Sequence, residues 1–138
     1  MQDSGISRWV LVTGAGFAML AVMIGAFAAH GLKAVLDAYS LGLIETAARY
    51  QMYHAIALLI VAVISTVPQF SARLLMLAAI AFILGIVLFS GSLYLLALSN
   101  IRWLGAITPL GGVAFISGWL ALIVGALKYP AQTTEINH

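Results

Sequence analysis

The sequence contains no cysteine, which excludes disulfides, thiolate metal sites and thiol nucleophiles while leaving the compartment open. Charge is nearly as scarce: six basic and four acidic residues make up 7% of the 138 residues, where a water-facing domain carries about 25%. So few charges cannot coat a soluble surface. A net charge of +2, scattered along the chain, also offers no footprint for nucleic acid. Only three prolines interrupt a chain that is 64% hydrophobic, with a mean hydropathy of +1.13. These proportions describe an integral membrane protein.

Lipid offers the backbone no water to bond, so only helices or closed barrels cross it. Barrel strands alternate apolar and polar residues, and the long runs here do not. The sequence therefore predicts an all-α integral membrane protein, an up-down-up-down four-transmembrane-helix bundle in a single domain. Its spans are expected at about residues 9–29, 46–67, 74–98 and 105–128. An interfacial amphipathic helix is expected between helices 1 and 2, at about residues 31–42. There Leu32, Val35, Leu36 and Tyr39 recur at i, i+3, i+4 and i+7, opposite Lys33 and Asp37. PAQTTEINH, residues 130–138, reads as a polar tail.

Ala26-Phe27-Ala28 imitates a signal-peptidase site, but the apolar run before it starts at Trp9. That exceeds the roughly 7–15 residues of a signal core, so the segment is expected to stay as a span. Small residues recur at helical spacing: Ala18, Ala21, Gly25 and Ala29 in the first span, Ala114, Gly118, Ala121 and Gly125 in the fourth. Such stripes are expected to let helix backbones approach closely. Pro109, followed by Gly111 and Gly112, should kink or loosen the start of the fourth span. Arg8, Arg73 and Lys128 fall on one side, Lys33 and Arg102 on the other. With Arg49 inside the second helix, the positive-inside rule places both termini in the cytoplasm, with the chain in the inner (plasma) membrane.

Polar chemistry gathers between His30 and His54. Glu45 and Arg49 are spaced i, i+4, Tyr53 continues their stripe, and Tyr50 and His54 share an adjoining one beside Gln51. The candidate binding patch is therefore His30, Lys33, Asp37, Glu45, Arg49, Tyr50, Gln51 and His54. One reading is structural, with a helix-entry ion pair, histidines bonding the loop and tyrosines forming an interfacial belt. A second is a binding or proton-handling site, in which Glu45 and His54 titrate and Arg49 fixes the carboxylate. A third places haem or a metal between His30 and His54, but two histidines fall short of the usual three or four ligands, and no cofactor or metal is expected. No catalytic residue is assigned. Phe89-Ser90-Gly91-Ser92-Leu93 looks like a hydrolase elbow but lies inside an apolar span, outside the strand-turn-helix setting such an elbow needs.

GAFAAHGLK (25–33), ETAARYQMYHAIALL (45–59) and FSGSLYLLALSNIRWLGAITPLGGVAFISGWL (89–120) together resemble the YgdD/YwdK-like family of small inner-membrane proteins, which has eukaryotic relatives. The resemblance spans nearly the whole chain. Its matching positions include Gly25, His30, Gly31, Leu32, Tyr50, Gln51, Tyr53, His54, Gly91, Ser92, Leu93, Tyr94, Trp103, Thr108, Pro109 and Gly111. It implies four membrane helices and no activity, because the family is a domain of unknown function. The expectation is thus a non-enzymatic scaffold or accessory subunit in contact with membrane lipids, as a homo-oligomer or within a larger complex. The alternative is a small transporter, channel or lipid/quinone-binding protein using the His30–His54 patch.

Overall fold

The structure, a computed structural model, describes residues 4–129. Helix α1 (Ser4–Phe27) runs into a π-helical turn, Ala28–Leu32, and a short turn leads to α2 (Ala38–Ile64). Helix α3 (Ala72–Gly85) continues through a second π-helical turn, Ile86–Ser90, into α4 (Gly91–Ser99). A 3₁₀ turn, Arg102–Ala106, precedes α5 (Thr108–Leu127). End to end, these pieces make four stretches long and apolar enough to cross a membrane: Ser7–Leu32, Ala38–Ile64, Ala72–Ser99 and Arg102–Leu127. No strand occurs among the described residues. The polar tail lies outside them.

Local chemistry sets the boundaries. Asp37 is extended at ψ 168° and its carboxylate accepts the Ser40 amide at 2.7 Å, an N-cap that starts α2 at Ala38. Ser71 caps α3 in the same way through the Leu74 amide. Asn100 ends α4 in the left-handed conformation at φ 57°, which asparagine tolerates better than most residues. Pro109 lies in the first turn of α5, where its missing N–H leaves no bond unmade. The loosening expected there sits one step earlier, in the 3₁₀ turn.

The expected interfacial helix does not form as a separate element. Residues 33–37 make a turn, with the Val35 and Leu36 amides donating to the Leu32 carbonyl. Everything from Ala38 onward belongs to α2. The Asp37 cap nucleates a helix that nothing afterwards stops, since Gly42 costs only about 1 kcal/mol relative to alanine inside a helix. The Ser40 amide, helped by the Ser40 hydroxyl, holds the Asp37 carboxyl below its ordinary pKa. The sign follows: the cap's stabilisation is present above the ordinary aspartate range and is lost as pH falls through the lowered value. Asp37→Asn keeps a capping oxygen without the titration. Its melting temperature is therefore expected to change less than the wild type's between about pH 6 and pH 3. Parallel melting curves in the two proteins would contradict this.

Helix α1 packs mainly on α2, α3 packs on α5, and α2 also meets the α3–α4 span. The second and third spans are the most enclosed, so α2 is the central helix. The main core joins Val10, Leu58 and Val61 to Leu75, Phe82, Ile86 and Phe115. Close approach depends on glycines. Gly14 on α1 faces Leu58 and the Ala55 carbonyl of α2. Between α3 and α5 the fit is reciprocal: Phe115 lies over Gly85, and Phe82 lies over Gly118. Gly125 receives Phe70, and Gly111 lies against the backbone of Phe89. Of the other small residues noted in the sequence, Ala21 is buried and Ala114 half-buried, while a side chain at Gly25 would meet open space. Large apolar side chains such as Val12, Val63, Leu84 and Ile116 remain exposed around the bundle, as a lipid-facing surface requires.

Candidate functional site

The polar side chains that α2 turns inward tie the bundle together. Gln51 is 3% exposed; its Nε2 donates to the Phe17 carbonyl of α1 at 2.9 Å, and its Oε1 accepts the Tyr94 hydroxyl of α4 at 2.9 Å. One amide thus spans three helices with a donor and an acceptor both used. One turn further along, His54 is buried as well. Its Nδ1 lies 2.7 Å from the Tyr50 carbonyl, and its Nε2 lies 3.2 Å from Trp119 Nε1 of α5. A carbonyl only accepts and an indole N–H only donates, so the network assigns the proton to Nδ1 and leaves Nε2 as acceptor. The ring is a neutral imidazole, stacked on Phe115 with centroids 3.4 Å apart and planes 8° from parallel.

Hydroxyls complete the ties. Ser90, at the end of the second π-helical turn, donates to the Ala47 carbonyl of α2 at 2.8 Å, and Ser92 Oγ lies 2.7 Å from Thr108 Oγ1 on α5. Ser7 reaches the Ala62 carbonyl at 3.2 Å. Among the described residues, every buried side-chain nitrogen and oxygen has a partner. In hydrocarbon such bonds join helices.

The other members of the sequence-derived patch lie elsewhere. His30, Lys33, Asp37, Glu45 and Arg49 are all exposed, and Tyr50 is half-exposed, against Phe89 and Tyr53. Glu45 and Arg49 look outward from α2, whereas Gln51 and His54 look inward. At 1.5 Å per residue, His54 lies about 14 Å further along the helix than Glu45. His30 closes the first span near the start of α2, so it shares the membrane face of Glu45 rather than the depth of His54. No group of three or more histidine, aspartate or glutamate side chains that could hold a metal occurs among the described residues.

Trp119 is the neighbour of His54 that the sequence did not reveal, since nothing in its sequence surroundings distinguishes it from a lipid-facing tryptophan. Tyr94, Ser92 and Thr108 carried a signal, as polar residues within otherwise apolar runs. Phe17 had none, because it contributes only its backbone.

Comparison with known proteins decides the family. Residues 24–112 match the model described as "Protein of unknown function (DUF423)". The chain belongs to this family. It is 47% identical over 119 residues to a UPF0382 membrane protein of Staphylococcus epidermidis, covering 86% of this chain and 95% of that one. The UPF0382 membrane protein YwdK of Bacillus subtilis is 45% identical over 119 residues, covering 86% and 96%. The UPF0382 inner membrane protein YgdD of Escherichia coli is 39% identical over 122 residues, covering 88% and 92%. No solved structure matches. The likeness extends almost the full length of these relatives, so the resemblance read from the motifs is the family itself. The chain is a multi-pass membrane protein with four apolar helices, in a family described as of unknown function.

Proposed function

We propose that this protein is a non-enzymatic subunit of a larger membrane assembly, recruited through the outward face of α2. The observation that carries the reading is the division of polar groups on that one helix. Gln51 and His54 are consumed in ties between helices, while Glu45, Arg49 and Tyr53 stand exposed in a single i, i+4, i+8 stripe. Ionisable side chains on a membrane helix normally meet protein or water, and here the bundle supplies them no partner helix. A neighbouring subunit with complementary charge supplies one. This role needs no cofactor and no solute path.

A photo-crosslinking residue in place of Tyr53 tests the reading in native membranes. One discrete heavier adduct is expected, and Glu45→Arg should reduce it at least about tenfold by setting like charges against the partner. A folded protein that gives no adduct from Tyr53 would sink the proposal. An adduct of twice the monomer mass would identify the partner as a second copy.

The same reading places the chain in the inner membrane with both termini cytoplasmic. Arg49 lies well within α2, so Arg8, Arg73 and Lys128 outweigh Lys33 and Arg102. A reporter fused after His138 should be active only as a cytoplasmic fusion.

A further inference from the structure

An apolar cleft of about 440 Å³ opens between α1, α2 and α4, walled by Leu20, Ile24, Phe27, Ile44, Tyr94 and Leu98. That size lies within the range of about 300–1,000 Å³ typical of small-molecule sites. Its upper wall is built by an irregularity. The π-helical turn Ala28–Leu32, at the end of α1, carries Leu32 into the lining. Gly31 makes room for the Phe27 ring, which a side chain at that position would meet at 2.7 Å. Tyr94 is the one polar side chain in the lining, and its hydroxyl is already given to Gln51. An occupant therefore finds hydrocarbon and no free donor among the lining side chains. Leu20, Phe27 and Leu98 are exposed, so the cleft opens sideways to the bilayer.

Basic residues close in the chain to this lining narrow the choice. Exposed Lys33 follows the lining residue Leu32, and exposed Arg102 lies one helical turn's length of chain beyond Leu98. Of the nearby acids, Asp37 keeps its charge but commits its carboxylate to the Ser40 amide at the start of α2, and Glu45 is exposed on α2. We infer that the cleft holds an acyl chain of an anionic phospholipid, with the headgroup phosphate at Lys33 and Arg102.

The test uses full-length protein, delipidated in mild detergent, offered equal amounts of phosphatidylglycerol and phosphatidylcholine and read by native mass spectrometry. One retained phosphatidylglycerol is expected, preferred about tenfold or more, since each basic side chain near an anionic surface is worth roughly fivefold. Lys33→Gln with Arg102→Gln should bring the preference close to parity without disturbing packing. Ile24→Trp should expel the lipid; Leu98→Trp, at an exposed wall position, gives the same block should the first variant fail to fold. Equal retention of the two lipids would overturn the inference, as would unchanged retention in a folded, blocked variant. Recovery of an isoprenoid quinone from the native membrane in place of phospholipid would also overturn it.

Discussion

Gly111→Ala is expected to lower the unfolding free energy by about 1–3 kcal/mol or more, the usual cost of overpacking a tight contact. The added methyl group would land on the backbone nitrogen and Cα of Phe89, at the end of the second π-helical turn. A side chain can swing aside from a collision, but a backbone within a helix cannot. The α4–α5 seam would have to open, and the bond between Ser92 and Thr108 sits on that seam. Gly112→Ala supplies the control. Nothing lies within 4 Å of a side chain at that position, so alanine should be neutral or stabilising by up to about 1 kcal/mol through helix propensity. Thermal or SDS-titration unfolding of the two variants makes the comparison. Equal stabilities would refute the backbone contact.

Gln51→Leu is the second large effect, with an expected loss of about 1–2 kcal/mol. The change keeps volume roughly constant while deleting both ties of the central amide. The Phe17 carbonyl tolerates the loss best, because a helix carbonyl keeps its own backbone partner. The Tyr94 hydroxyl bears most of the cost, since Gln51 is its hydrogen-bond partner in the structure. Tyr94→Phe should therefore be nearly silent when added to Gln51→Leu, although it is destabilising alone. Such non-additivity is the signature of a direct contact. Additive losses would mean that the two side chains stabilise the bundle separately. The His54–Trp119 pair, one turn further along α2, should be unaffected, because it shares no atom with the Gln51 node.

Much of the architecture was legible because membrane insertion acts on local composition. The four apolar runs were apparent from hydropathy, and the lower mean hydropathy of the second span, 1.5 against 2.7 for the third, marks the helix that carries the polar groups. The first-turn placement of Pro109 and the Asp37 cap are equally local, yet both outcomes departed from expectation. Amphipathic spacing at Leu32–Tyr39 suggested an independent helix, whereas the Asp37 cap merged its second half into α2. Periodicity reports which residues share a face and does not say where a helix begins.

The candidate patch shows the other limit. Glu45, Arg49, Gln51 and His54 are close in sequence, and helical spacing assigns them to different sides of α2. Spacing alone does not say which side is covered. Once α1, α4 and α5 are placed, Gln51 and His54 are interior ties, and Glu45 and Arg49 are left on the surface.

By itself the sequence determined the membrane class, the number of spans and the antiparallel order imposed by short connections, because each depends on residues a few positions apart. Only the tertiary structure decided that Phe82 and Phe115 exchange places over Gly118 and Gly85, that His54 meets Trp119, and that the end of α1 walls a cleft with Tyr94. Those contacts join residues tens of positions apart, and they follow from which helix faces meet, a choice made by packing across the whole bundle.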